Sequence, residues 1–425
     1  MKEISQHYAD VMGLAVPTRV EAVPLDEARA LVLGEDVSAR FAIPPFTNSA
    51  MDGFAVRAAD VHPGTALLVV TDIAAGAHSD LPLAPGTAQR IMTGAPLPAG
   101  ADAIIQVEFT RDAPSNMLPE PPATVTPTDA ATGITPGTHV RPAGEDIAVG
   151  APAFAAGTRL TPAHLAALAA IGYAEAPVHT RPRVGIIATG DELRAPGEAL
   201  AAGQIPDSNS VLLRHLVAEA AATPVPFTCH SDTVDTFLAG IRDVLDGVDM
   251  IVTSGGVSAG AFDVVKAALG SLGVEFAKVA MQPGKPQGFG LLKDSTGRDV
   301  PILCLPGNPV SVFVSWQLFG RPLLSGLFAL PGRGYEAMFR PGIAGHGWSR
   351  KPGRTQFLPC VFLDDDGESS LAGRALAGPL RVTPASSGGS KSHLIAALPL
   401  ATGLARVPAE IGEIRAGDPV DVMVF

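Results

Sequence analysis

Cysteine is scarce in this chain. Only Cys229, Cys304 and Cys360 occur in 425 residues, far apart and with no CxxC pair. That argues against a zinc site or a disulfide framework and fits a reducing, cytoplasmic compartment. Positive charge is short as well: 30 Lys and Arg stand against 42 Asp and Glu, a formal net charge of −12. A nucleic-acid partner would want a basic face, so the balance argues against one. An anionic substrate must then be held by local donors against the field of the whole chain. No run of about 18 apolar residues suggests a membrane span. The N-terminus carries Glu3 and Asp10 without a long apolar core, unlike a signal peptide. Catalytic signatures are missing too. There is no Walker A, GxGxxG or HExxH pattern, no Ser-His-Asp arrangement stands out, and the ten His are scattered.

What is present is a well-packed composition, 47% hydrophobic and 17% charged. A chain of 425 residues exceeds one ordinary core and predicts two to four domains. The 46 glycines and 39 prolines predict many turns and much β structure. Ile4, Tyr8, Val11 and Met12 fall at helical spacing. Residues 24–33 read as a second helix ended by Gly34. Residues 39–148 read as a β-rich domain of short apolar runs between Pro/Gly turns, with 112–138 as a solvated Pro/Thr/Ala loop. Thr161-Pro162 opens a helix that Gly172 closes. From about 180, strands at 184–188, 225–228, 250–253 and 302–305 alternate with helices at 208–222, 233–245, 263–269 and 310–318. Repeated strand–helix units predict a doubly wound parallel sheet, so the fold class is α/β plus β. From about 331 the chain reads as a small C-terminal β domain.

In a doubly wound sheet, ligands bind at the carboxyl ends of the strands. Three strand ends attract notice. Thr253-Ser254-Gly255-Gly256-Val257-Ser258-Ala259-Gly260 fits a backbone nest for a phosphate, or a tight structural turn. Asp263, just beyond it, either caps the next helix or holds a cation beside the bound anion. Thr189-Gly190-Asp191-Glu192 offers two acids, with Asp191 the better helix cap and Glu192 the better ligand for Mg²⁺ or a hydroxylated group. Pro306-Gly307-Asn308-Pro309 is stiffened by its prolines and suits a binding wall. Gln282-Pro283-Gly284-Lys285-Pro286 pins one ammonium where it can serve an anion. Together they suggest a phosphorylated substrate handled with a metal.

Eight segments in order then resemble a known family: Asn48-Ser49-Ala50-Met51-Asp52-Gly53-Phe54, Met92-Thr93-Gly94-Ala95-Pro96, the stretch 141–147, 188–193, Asp207-Ser208-Asn209, 253–263, Pro283-Gly284-Lys285-Pro286 and 305–310. The chain resembles the molybdopterin molybdenumtransferases, the MoeA-type bacterial enzymes and the E domain of gephyrin. The resemblance implies an elongated four-domain homodimer. Its parts are an N-terminal helix (1–20), a linker domain (21–38 plus 149–178), a β-rich domain (39–148), a doubly wound MogA-like domain (179–330) and a C-terminal small β-barrel (331–425). It implies insertion of molybdate into adenylylated molybdopterin with Mg²⁺ present and AMP released. A molybdopterin adenylyltransferase and apo-molybdoenzymes are the implied partners. It assigns catalytic roles to Asp52, Asp146, Glu192 and Asp263, the last two also as metal ligands, and substrate contacts to Thr93, Asp232, Lys285, Pro306, Pro309, Arg354 and Ser392. The nest adds Ser254, Gly255, Gly256 and Ser258. The site is expected to form between the doubly wound domain of one subunit and the β-rich domain of the other. Two positions depart from the family pattern: Gln282 stands where Lys or Arg usually precedes Pro-Gly-Lys, and Pro359 where many relatives carry Arg. Each removes a positive charge worth about 1–3 kcal/mol if it touched the ligand. An adenylyltransferase-like activity and a non-catalytic scaffold are the alternatives.

Overall fold

The computed structural model describes residues 1–111, 120–228, 233–257, 264–363, 380–386 and 392–425. Helix α1 (Ile4–Met12) buries Ile4, His7, Tyr8 and Val11, the i, i+3, i+4, i+7 stripe of an amphipathic helix. The expected helix over 24–33 does not form. Val20–Pro24 is instead a strand, antiparallel to Glu175–His179. Turns follow, and Val32 and Leu33 make bridges to Arg159 and Val178. Leu31, Val32 and Leu33 are all buried, so distant pairing overrides the local preference of a short Ala/Glu/Arg-rich run.

Residues 39–148 carry a five-stranded sheet in the order Ala103–Gln106, Gly53–Val56, Thr87–Ile91, Leu67–Ile73, Thr124–Val125. The last strand lies inside the stretch expected to be a solvated loop. Val125 is fully buried there, so 120–138 belongs partly to the core. Arg90 is buried opposite Asp72 in the register and bonds it through two guanidinium nitrogens. Helix α2 (Pro162–Ala170) starts as expected, with Thr161 and His164 forming a reciprocal cap and Pro162 in the first turn.

The central layer is a six-stranded sheet in the order Thr223–Thr228, Arg183–Ala188, Met250–Ser254, Asp299–Leu305, Pro286–Lys293, Glu275–Lys278. The first four strands are parallel. The last two extend the sheet antiparallel. Side chains alternate between faces as the strand period demands. Met250, Val252, Leu303 and Leu305 join one hydrophobic cluster, and Ile251, Ile302 and Cys304 the other. Helices α3 (Ser208–Glu219) and α6 (Pro309–Ser315) cover the first face, and α4 (Val234–Leu245) and α5 (Val264–Gly270) the second. The sheet is therefore doubly wound. A π-helical turn, Trp316–Gly320, joins α6 to α7 (Arg321–Leu327).

The C-terminal strands Thr355–Leu363, Leu380–Pro384, Arg340–Ala344, Pro419–Val424 and Gly403–Val407 close into a barrel, because the last pairs with the first. Met281–Gln282 adds to this barrel in parallel with Thr355–Leu363. Among the described residues no helix is long and apolar enough to cross a membrane.

Candidate active site

The chain leaves the strand Arg183–Ala188 toward one side of the sheet and returns to Met250–Ser254 on the other. The crevice between their carboxyl ends is the topological switch point, where such sheets bind ligands. A cleft of about 910 Å³ opens there. Residues 189–192, 255–257 and 306–308 form its floor, 282–286 one wall, and Arg354, Ser392 and His393 reach in from the C-terminal domain. All three strand ends singled out from sequence thus meet in one place.

Glycine geometry makes the meeting possible. Gly255 and Gly256 both adopt left-handed backbone, φ +93° and +68°. A Cβ at Gly255 would lie 2.9 Å from the Thr189 carbonyl. The Gly255 N–H donates to the Leu305 carbonyl at 3.1 Å, so it closes the sheet and is spent before any anion arrives. Ser254 is buried in the strand and does not line the cleft. Asn209 Nδ2 donates to the Gly307 carbonyl at 2.7 Å, tying α3 to the 306–309 turn, while Asp207 caps α3. Pro306 lines the cleft, and Pro309 sits in the first turn of α6 behind it.

The cationic side is built across two domains. Met281 pairs with Thr355 and Gln282 with Gln356, so the turn carrying Lys285 and the segment carrying Arg354 leave one parallel ladder together. Lys285 is half-buried, and its carbonyl accepts from the Val279 N–H at 2.8 Å. Arg354 donates to the Met281 carbonyl at 3.3 Å. Arg350 donates to the Arg354, Val407 and Pro408 carbonyls and steadies that segment. Burial and the Arg354 charge together pull the Arg350 guanidinium below its ordinary pKa. Among the described residues neither Lys285 nor Arg354 has a carboxylate within 4.0 Å. Ser392 is held by its carbonyl, which accepts from the Val310 N–H at 3.1 Å, and by its hydroxyl, which accepts from Asn308 Nδ2 at 3.0 Å. Gln282 lines the cleft where a further cation was expected. Pro359 does not line it: it is buried mid-strand in the barrel, opposite Leu404.

Asp191 and Glu192 lie exposed on the acidic side. The helix-cap reading of Asp191 fails, because a turn and the short strand Leu193–Arg194 follow it. Glu192 folds its carboxylate back over Gly190, where an added Cβ would lie 2.5 Å from Oε2. Among the described residues no three His, Cys, Asp or Glu gather to hold a metal. Magnesium, however, usually takes only one or two carboxylates and completes its octahedron with water and substrate phosphate. Glu192, which lines the cleft, can supply one carboxylate of that donor set.

Asp52, Thr93 and Asp146 stand apart. Asp52 Oδ1 accepts from the Thr93 N–H at 2.7 Å and the Thr93 hydroxyl at 2.8 Å. Asp146 borders a second hollow of about 640 Å³ with Asn48, Gly94, Arg141 and Glu145. Among the described residues, none of 39–148 lines the main cleft of the same chain. Ser258, Asp263 and Asp232 lie outside the described residues. Sequence reasoning missed Arg350 and Gln287, which bond near neighbours, Arg354 and Gly284, and also distant groups, Val407, Pro408 and Ser315, that leave no local pattern.

Comparisons agree along the whole chain. The MoeA N-terminal region (domain I and II) matches residues 2–172. A probable molybdopterin binding domain matches 185–326, and the MoeA C-terminal region (domain IV) matches 341–425. The chain is 40% identical over 434 residues to molybdopterin molybdenumtransferase 2 of Mycobacterium tuberculosis, covering 99% of each. It is 36% identical over 311 residues to the molybdopterin molybdenumtransferase of Bacillus subtilis, covering 72% of this chain and 70% of that one. The crystal structure of the molybdopterin biosynthesis moea protein from Pyrococcus horikosii superposes with a TM-score of 0.77 at 26% identity, covering 100% of this chain and 99% of that one. The chain belongs to the MoeA family of molybdopterin molybdenumtransferases.

Proposed function

We propose that this chain inserts molybdate into adenylylated molybdopterin and releases AMP. The observation that carries the reading is the convergence of Lys285 and Arg354, both without carboxylate partners among the described residues, on a cleft at the switch point of the sheet. A tetrahedral dianion in a protein of net charge −12 needs such a local pair. Lys285 supplies a compact point charge and Arg354 a planar fork. Ser392 adds a hydroxyl from the C-terminal domain. Gly256, Pro306 and the 306–309 turn form the apolar and backbone surface for the pterin phosphate.

Glu192 and Asp263 would hold Mg²⁺. Bound there, the ion would polarise the phosphoanhydride that links the pterin phosphate to AMP. Asp263 and Asp232 enter this reading through the family resemblance, and Ser258 through the glycine-rich nest read from the sequence. Asp52, Thr93 and Asp146 act in trans: the β-rich domain of a second copy faces the cleft of the first, which makes the active form a homodimer. The separation of these residues from their own chain's cleft supports this arrangement. A molybdopterin adenylyltransferase supplies the substrate, and an apo-molybdoenzyme receives the product.

Reconstitution tests the reading. The full chain is given adenylylated molybdopterin, Mg²⁺ and molybdate, and AMP release is followed with activation of an apo-molybdoenzyme. Molybdate-dependent release with activation is expected. Formation of an AMP adduct from ATP and molybdopterin without molybdate would replace insertion by adenylylation.

A further inference from the structure

The turn that presents Lys285 is held from behind by a buried side chain. Gln287 is 2% exposed. Its Nε2 donates to the Gly284 carbonyl at 2.7 Å and to Ser315 Oγ at 2.7 Å. A carbonyl can only accept, so the nitrogen end of the amide must face Gly284, and both of its hydrogens are committed. Gly284 has φ +90°, and a Cβ there would lie 2.9 Å from Ser315 Oγ and 3.2 Å from Gln287 Nε2. Glycine is thus what lets the turn press against the amide. Ser315 is fully buried at the end of α6, the helix whose first turn follows the 306–309 wall. One amide therefore joins the lysine wall to the helix behind the facing wall.

We propose that Gln287 is a positioning residue: by clamping the Gly284 carbonyl to Ser315 it fixes the backbone from which Lys285 meets the oxyanion. Two bonds bracket the lysine, the Gln287 amide on the carbonyl before it and the Val279 N–H on its own carbonyl. The lysine stem is a four-carbon chain with free rotors, so the placement of its ammonium depends on where that stem begins. Sites held by a locked supporting shell lose function when the shell is loosened, even with every contacting group intact. The proposal rests on the reading of the cleft as a molybdate site.

The test is a double-mutant cycle on the full chain, with molybdate itself as the probe in equilibrium dialysis. Lys285→Ala weakens molybdate binding. Gln287→Met, close to isosteric and without donors, raises the molybdate Kd about tenfold when Lys285 is present. In the Lys285→Ala background the same change has no further effect on Kd, while its effect on melting temperature is the same in both backgrounds. A residue that only stabilises the core would weaken binding equally in both backgrounds, and that additivity would overturn the proposal. So would a Gln287→Met variant that binds like the unmodified chain while Lys285→Ala does not. If Lys285→Ala itself leaves Kd unchanged, the molybdate reading falls and takes this proposal with it. Should Gln287→Met not fold, Ser315→Ala carries the cycle. It removes one of the two acceptors, and roughly a threefold loss that vanishes with Lys285→Ala is expected.

Discussion

His7 sits on α1, 1% exposed, with its ring edge-on to Phe289 and Phe319 at centroid distances of 5.0 and 4.7 Å. Burial, helped by the Lys2 charge and opposed by Asp10, lowers its pKa to about 4 from 6.5. A depressed histidine is neutral in the folded state, while the unfolded chain protonates near 6.5. Between those values the unfolded state binds more protons, so stability is full above pH 6.5 and falls as the pH drops toward 4. The slope contributed by this one group approaches about 1.4 kcal/mol per pH unit. Urea unfolding at pH 7.5, 5.5 and 4.5 checks it. His7→Phe should flatten the dependence over that window, and an unchanged slope would assign the loss to other groups. Lys285 differs: it is half-buried, and in the proposed reading its contribution depends on residues that touch no ligand.

At the scale of elements, caps show which side chains serve the helix and which serve the site. Thr161 accepts from the His164 N–H and completes a reciprocal cap on α2. Thr161→Ala should cost about 1 kcal/mol in urea unfolding. Asn308 holds the same position on α6 yet makes no cap bond, and its amide reaches Ser392 instead. Asn308→Ala should therefore cost less than Thr161→Ala, because Pro309 already shapes the first turn. Molybdate affinity should nevertheless fall roughly three- to tenfold, since Ser392 loses its anchor to the floor of the cleft. A destabilisation as large as that of Thr161→Ala, with affinity intact, would make Asn308 a helix device and nothing more.

The whole molecule divides the residues proposed to function between two surfaces. The cleft holds Glu192, Lys285, Arg354 and Ser392. The Asp52–Thr93 pair and Asp146 belong to residues 39–148, and among the described residues none of these lines that cleft. If a second copy joins the surfaces, lesions on opposite surfaces must complement. Asp52→Ala and Lys285→Ala should each be nearly inactive alone. Mixed after dissociation and reassociation, they should recover about a quarter of full activity: half of the dimers are mixed, and one of their two sites carries no lesion. No recovery, with mixed dimers shown to be present, would place the Asp52 surface and the cleft on the same chain in the working enzyme.

Local pattern alone determined the doubly wound core. The apolar β-branched run over Met250–Ser254 and its neighbours, each followed by a helix, leaves a two-faced parallel sheet as the way to bury both sides. That sheet in turn set where a ligand binds, so residues 189–192, 255–257 and 306–308 were legible as one site. The eight ordered motifs were enough to identify the family. Tertiary structure decided the rest. Residues 24–33 have helix-forming residues but lie as turns and bridges, because Val32 and Leu33 are buried by Arg159 and Val178 far along the chain. Asp191 looked like a cap, but a strand pair follows it and α3 starts only at Ser208. Lys285 and Arg354 reach one cleft through the ladder that joins Met281 to Thr355, and Gln287 finds Ser315 only once its turn packs against α6. Short-range periodicity encodes which face of an element is buried. The partner across a domain boundary follows from how whole surfaces fit, and no local spacing carries that.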